Sequence, residues 1–241
     1  DVAVTGVQTC ALPIYDRAKS ALEEVCRRYW MPVHQTILRR SQVTEEAQDL
    51  TQEFIVKLTD SSMWRRADPN RGRFRSFLLG ALARFLREIE VRRRAQKRGG
   101  DVTHLSSDDE EVADGLPEPT FTEELVRTFD RSWAVGIMTM ALNRTRDEYS
   151  AAGKLELFDA LKAYLPAGKE PPSYGDMAEQ LGLHLATLKT EIHRLRLSFK
   201  NNVRNEVARS VSAPHEVEAE LDWLQRILMD RGSRLNGAEA L

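Results

Sequence analysis

Cysteine and long apolar runs are both scarce in this sequence of 241 residues. Of its two cysteines, Cys10 lies in a segment that we set aside below, and Cys26 alone cannot form a disulfide within the chain. A chain without disulfides suits a reducing compartment, so we expect a cytoplasmic protein. No stretch approaches the roughly 18 consecutive apolar residues of a membrane helix, and we therefore expect no membrane partner.

The motifs of common enzymes and metal sites are also missing. The sequence contains neither a GxxxxGK[ST] phosphate loop nor a GxGxxG turn. Its five histidines are far apart, without HExxH or paired cysteines. Lysine and serine are abundant, but nothing arranges them as a nucleophile and its base. We therefore expect a protein that is not an enzyme and that holds no metal or other cofactor.

The first 14 residues differ from the rest in origin. Residues 4–14 read VTGVQTCALPI, which looks like the translation of a short-read sequencing adapter. The alternative is a weak secretory signal, but the segment lacks a basic start and a long apolar stretch. We interpret residues 1–14 as a cloning or assembly artefact and expect the natural N-terminus to be missing.

Apolar residues recur at helical spacing through most of the remaining chain. They follow steps of three and four residues over 47–58, 74–89, 133–141 and 155–165. Another amphipathic pattern covers residues 216–228. No run of alternating β-branched residues indicates a strand. The expected fold class is therefore all-α.

Local signals predict where several of these helices begin or break. Residues 18–38 read as a helix, but Pro32 inside them predicts a break or a kink. Thr44 can cap a helix that starts at Glu45. Residues 68–72 contain Asp, Pro, Asn and Gly, which predict a loop before the next helix.

Residues 101–124 are acidic and divide the chain. They contain nine Asp and Glu residues and no Lys or Arg, and Pro117 and Pro119 interrupt them further. This composition is typical of a flexible linker. On composition alone it is also what a solvated tether without any further role would have. We expect two small helical domains joined by this acidic linker, with a second helical block that starts near Phe129.

A helix-turn-helix is predicted within the second domain. Ser173 with Asp176 forms a capping pattern for a helix over 174–181, and Gly182 is a plausible stop. The next helix has apolar residues on one side, and this pattern resembles a DNA-reading helix pair. Some helix pairs of this shape simply pack. The outer face of the second helix offers candidate DNA contacts at Thr187, Lys189, Thr190, His193, Arg194 and Arg196.

Two basic clusters occur in the first domain. One contains Arg84, Arg87 and the run Arg92, Arg93 and Arg94, which could hold a DNA backbone or merely complement a helix dipole. The other interleaves an aromatic residue with cations, which suits single-stranded bases but also fits an ordinary basic loop. Its members are Trp64, Arg65, Asn70, Arg71, Arg73 and Arg75.

One face of the helix over residues 47–58 is acidic and polar. Asp49, Gln52 and Glu53 lie off the apolar stripe. Such a face is usually solvated, and the alternative is a docking surface for a basic partner helix.

Four segments together resemble bacterial RNA polymerase sigma factors of the sigma-70 family, extracytoplasmic-function (ECF) group. AQDLTQEFIVKL over 47–58 is similar to that family's polymerase-binding helix. DPNRGRFRSFLLGALARFL over 68–86 and RRRAQKRGG over 92–100 are similar to its promoter −10 module. SYGDMAEQLGLHLATLKTEIHRLR over 173–196 is similar to its −35-reading helix-turn-helix.

The resemblance implies a domain plan and partners. Residues 15–100 would bind core polymerase and the −10 element, residues 125–207 would bind the −35 element, and residues 208–241 would form a C-terminal helical extension. The implied partners are the clamp of the largest polymerase subunit, the flap region and promoter DNA, and an anti-sigma factor is a further partner that the family allows. The acidic linker would run through the RNA exit path.

The resemblance also assigns roles to residues. Asp49, Gln52, Glu53 and Phe54 match positions that bind the clamp. Residues 62–75 match the loop that captures a base flipped out of the −10 strand. Arg84, Arg87 and Arg92–Arg94 match the adjacent backbone-binding surface, and the −35 reader adds Leu185 and Ala186 to the outer-face residues above.

One position departs from the family pattern. His184 stands where the family usually has Ser or Thr as a helix cap, and this puts the detailed −35 contacts in question. The alternative function is a stand-alone helix-turn-helix regulator that acts without polymerase. It would need a dimer interface, yet no heptad seam is visible, and the first domain would be unexplained.

Overall fold

The protein is mostly helical in the ranges that its structure, a computed structural model, describes. No β-strand occurs in these ranges, so the prediction of an all-α fold is confirmed for them. The linker residues 101–121 and the loop residues 60–73 lie outside them. The described residues are 8–59, 74–97, 122–166, 170–211 and 213–230.

Contacts divide the chain into two compact units, Asp1–Trp133 and Ala134–Leu241. The first unit contains helix α1 (Gln8–Ser41), helix α2 (Thr44–Thr59) and helix α3 (Phe74–Lys97). Helix α4 (Glu123–Ala151) begins in the first unit and continues into the second.

Aromatic side chains connect the helices of the first unit. Tyr29 of α1 meets Phe74 of α3 with ring centroids 5.4 Å apart, and it stacks on Phe129 of α4 at 6.5 Å. Phe54 of α2 meets Phe85 of α3 at 5.4 Å. These rings are large apolar groups, and their burial is the main stabilising contribution that such a small core can make.

Helix α1 does not end at Pro32, so of the two alternatives predicted there, a break or a kink, the break is wrong. The helix continues to Ser41, although proline has no N–H to donate to the preceding turn. Tyr29, Val33 and Ile37 line one buried face on both sides of Pro32. Packing of that face outweighs the lost hydrogen bond, because most helical stability in proteins comes from tertiary contacts.

Helix α4 starts earlier than the sequence indicated. It begins at Glu123 rather than near Phe129, so the last two residues of the predicted linker form its first turn. Thr122 Oγ1 accepts a hydrogen bond from the Leu125 N–H at 3.3 Å, and the acidic first turn complements the helix dipole. Leu125 and Phe129, which we assigned to the second domain, are buried in the first unit.

The second unit is built around one long helix. After α4 come helix α5 (Leu155–Leu161), a 3₁₀ turn (Lys162–Tyr164), helix α6 (Tyr174–Leu181) and helix α7 (Leu185–Ala208). A second 3₁₀ turn (Pro214–Glu216) leads into helix α8 (Val217–Met229), which is the predicted C-terminal helix. Helices α5, α6 and α8 all pack against α7.

The predicted signals around α6 are confirmed. Ser173 accepts a hydrogen bond from the Asp176 N–H at 3.1 Å, which satisfies one amide of the first turn. Gly182 ends the helix with a φ of 60°, a left-handed conformation that glycine adopts without the cost a side chain would add. Three residues, 182–184, therefore separate α6 from α7.

We expect the Ser173 cap to contribute measurably to stability. Ser173→Ala removes the acceptor for the Asp176 amide, so urea unfolding followed by circular dichroism should show a loss of about 1 kcal/mol. Ser150→Ala is a matched control at an exposed position near the end of α4, and it should change the free energy of unfolding by less than about 0.5 kcal/mol. Equal losses in the two variants would contradict the capping role.

Candidate nucleic-acid interface

The face of α7 that turns away from the core carries all eight residues predicted to read DNA. Leu188, Ile192, Leu195 and Phe199 are buried on the opposite face. Successive residues advance by about 100° around a helix, so this burial turns the other positions outward. All eight predicted readers are exposed: Leu185, Ala186, Thr187, Lys189, Thr190, His193, Arg194 and Arg196.

Positive charge predominates along α7. The helix contains five Lys and Arg residues and two glutamates. Glu206 is buried, with Arg144 3.6 Å away, and Glu191 pairs with Arg194 at 2.6 Å. Lys189 is exposed and has no ion-pair partner in the described ranges. The outward face therefore presents cations of the kind that neutralise phosphate groups.

Tyr164 connects the 3₁₀ turn, α6 and α7. Its buried hydroxyl donates a hydrogen bond to the Pro172 carbonyl oxygen at 3.0 Å, and its ring stacks on Tyr174 at 5.3 Å. Its own carbonyl oxygen accepts from Arg196 Nε at 3.1 Å. Burial raises the pKa of the Tyr164 hydroxyl, with Tyr174 adding to the shift, so the group stays protonated and able to donate. Arg196 is thus tied to the body of the unit more than the other readers are.

A polar network that extends from the buried Asn202 and Thr145 to the exposed Glu148 connects α7 to α4. Asn202 Nδ2 donates to Thr145 Oγ1 and to Glu148 Oε1, each at 3.1 Å, and Ser198 Oγ donates to Glu148 Oε2 at 2.7 Å. Sequence reasoning missed this network. The signal was there, because Asn202 continues the buried stripe three residues after Phe199, and a polar residue at a core position needs a partner.

Helix α7 begins without a side-chain cap. His184 precedes it in extended backbone, yet its side chain makes no hydrogen bond to the first turn. Ser173 makes such a bond at the start of α6. The departure from Ser or Thr at position 184 therefore leaves the first amides of α7 without that acceptor.

The acidic face predicted on α2 is only partly exposed. Asp49 and Gln52 are exposed, and Glu53 is half-buried with its carboxylate 2.8 Å from Arg92. Phe54 is fully buried against Phe85. Its side chain is therefore a core residue, and the contact with the clamp that was predicted for it is wrong. The period of the helix explains this, since Phe54 shares a face with Ala47 and Leu58.

The basic end of α3 lies against the acidic face of α2. Arg92 and Arg93 of α3 pair with Glu53 and Glu46 of α2. In a third pair the charges are exchanged, since Lys57 of α2 pairs with Glu88 of α3 at 2.7 Å. Two surfaces that the sequence assigned to different partners are therefore one surface. Among the other predicted backbone-binding cations of α3, Arg84 and Arg94 are exposed and Arg87 is half-buried.

Arg75 does not reach the surface, which corrects its predicted contact with DNA. Its side chain is buried, forms an ion pair with Asp130 of α4, and lies over the Trp133 ring with the guanidinium carbon 4.9 Å from the centroid. Asp130 was not recognised from the sequence, because nothing in its spacing links it to a residue 55 positions earlier. The other residues of that predicted cluster, Trp64, Arg65, Asn70, Arg71 and Arg73, lie outside the described residues.

Family models, curated proteins and solved structures give no match to this chain. Within the described ranges, no three His, Cys, Asp or Glu side chains come together as metal ligands. In the same part of the chain, no helix combines the length and apolar character needed to cross a bilayer. Burial raises the pKa of the Cys26 thiol, which lowers its reactivity as a nucleophile.

We expect the Arg75–Asp130 pair to stabilise the folded first unit. Asp130→Ala removes a carboxylate that pairs with a buried guanidinium and should lower the free energy of unfolding by about 3–5 kcal/mol. Replacing both partners with apolar residues, Arg75→Met with Asp130→Leu, should recover most of that loss. Arg84→Ala, at an exposed cation of the same helix, should cost less than about 0.5 kcal/mol in the same urea titration. If Asp130→Ala lowered the free energy of unfolding as little as Arg84→Ala does, the buried pair would not have this stabilising role.

Proposed function

We propose that this protein is a bacterial RNA polymerase sigma factor that carries core polymerase to promoter DNA and directs initiation. The observation that carries the proposal is the outward face of α7, whose predicted readers are all exposed and whose Lys189 has no ion-pair partner among the described residues. The four segments that resemble the sigma-70 family supply the rest of the argument.

The second unit would read the −35 element as a helix-turn-helix. Helix α6 has eight residues, the connection has three, and α7 follows with its apolar face in the core. In such motifs the second helix enters the major groove and its first turns contact base edges. The exposed readers lie in the first half of α7, which supports this use.

The first unit would bind the polymerase and the −10 element. Asp49 and Gln52 are exposed on α2, and they are suited to a basic or polar partner helix. Arg84 and the cations at the end of α3 would hold DNA backbone beside it. Ion pairs such as Glu53–Arg92 are half-exposed, and pairs of this kind are worth roughly 0–1 kcal/mol, so a partner can displace them.

The proposal is tested by reconstitution with core polymerase. The full chain should co-elute with bacterial core polymerase and support transcription from a pooled library of random-sequence templates. Asp49→Lys should weaken co-elution at least tenfold, because it places a cation at the proposed contact with a basic helix. Glu123→Lys is a matched charge reversal in the first turn of α4 and should retain wild-type binding.

Two results would decide against the proposal. The chain would be a stand-alone regulator if it bound specific duplexes but neither associated with core polymerase nor supported transcription. Equal weakening by Asp49→Lys and Glu123→Lys would remove α2 as the polymerase contact.

We expect Lys189 to contribute to DNA binding by contacting a phosphate group. Lys189→Ala should weaken DNA binding by the holoenzyme and make the slope of log K against log salt less negative by about 0.9, the value for one lost phosphate contact. Lys162→Ala is the control, because that ammonium pairs with Asp159 at 3.0 Å outside α7. An unchanged slope in Lys189→Ala would show that this lysine does not meet a phosphate.

A further inference from the structure

We infer that the start of α7 recognises thymine methyl groups in the major groove. This inference rests on the proposed DNA-binding role and specifies the base chemistry that the helix reads. Leu185 is 47% exposed at the first position of the helix, and Ala186 beside it is exposed as well.

Thr190 extends the apolar character of this surface. It lies one turn after Ala186, and its Oγ1 donates to the Ala186 carbonyl oxygen at 3.0 Å. The hydroxyl is therefore hydrogen-bonded within the helix, and the methyl group is the part of the side chain that can make an apolar contact. Leu185, Ala186 and Thr190, here called the apolar patch, adjoin on the exposed face.

Side chains that read bases by paired hydrogen bonds are few in the first turns of α7. Residues 185–193 contain no Asn, Gln or Arg, and Lys189 is the one residue among them that can pair with guanine in this way. Arg194 and Arg196 follow further along the helix. Glu191 could accept from cytosine, but its carboxylate is held by Arg194 at 2.6 Å. Thr187, Lys189 and His193 remain as exposed polar side chains.

Duplex DNA offers one apolar group in the major groove, the C5-methyl of thymine. Lys189 is exposed next to the apolar patch and lacks an ion-pair partner in the described part of the chain, so a phosphate-bearing ligand is also matched in charge. The occupant that fits both features is a thymine-containing duplex. Discrimination then depends on burying methyl groups, with Lys189 supplying affinity that does not depend on sequence.

The test replaces thymine with deoxyuridine, which pairs identically and lacks only the methyl group. A duplex is first selected from a random library by the full chain with core polymerase, and then each thymine of its −35 region is replaced singly. At one to three positions the affinity should fall about fourfold, the factor that corresponds to losing one buried carbon group.

The variant Leu185→Ala tests whether the Leu185 side chain causes the preference for thymine. The variant should bind the thymine duplex several-fold more weakly than the wild type, yet lose little on the duplex with deoxyuridine at the sensitive position. Leu185→Met keeps apolar surface and should retain most of the preference for thymine. Thermal melting followed by circular dichroism is the control for folding. Leu185→Ala should leave the melting temperature unchanged because the side chain is exposed.

The outcomes separate this inference from the proposed function. If a duplex is selected but deoxyuridine has no effect at any position, or if Leu185→Ala weakens both duplexes equally, thymine reading by the apolar patch is overturned and the sigma-factor proposal stands. If no duplex is enriched and no transcript appears, both are overturned.

Discussion

Burial of one face of α7 is the constraint on which the second unit depends. Leu188, Ile192, Leu195 and Phe199 enter a core that α5 and α6 supply with Phe158, Leu161 and Met177, among others. Each large apolar side chain contributes about 1.5–3 kcal/mol when it leaves water, so the helix cannot rotate without losing several of them together. The same burial that stabilises the unit therefore determines which residues of α7 face outward.

The first unit distributes its charges in two different ways. The Arg75–Asp130 pair is buried and belongs to the core, where removal of Asp130 takes a close opposite charge away from a buried guanidinium. The pairs between α2 and α3, such as Glu53–Arg92, are half-exposed and screened by water. A ligand can compete for the second kind and not for the first. This difference separates residues that hold the unit together from residues that could exchange partners.

Local signals in the sequence predicted local structure well. Ser173 and Gly182 begin and end α6 as expected, because capping depends on atoms only a few residues apart. The break predicted as one alternative at Pro32 was wrong because the cost of the missing N–H is local, whereas the packing of Tyr29, Val33 and Ile37 that outweighs it involves other helices. The start of α4 was placed too late for a similar reason, since Leu125 gains its burial from contacts far away in the sequence.

By itself, the sequence determined the all-α class, the turn between α6 and α7 and the outward face of α7, since periodicity and caps are properties of short segments. It also contained the resemblance from which the proposed function derives. Only the tertiary structure decided that Arg75 and Phe54 are core residues and that the acidic face of α2 meets the cations of α3. Charge and residue type are the same in a buried side chain and an exposed one. The difference arises from which helices pack together, and that depends on contacts between residues far apart in the chain.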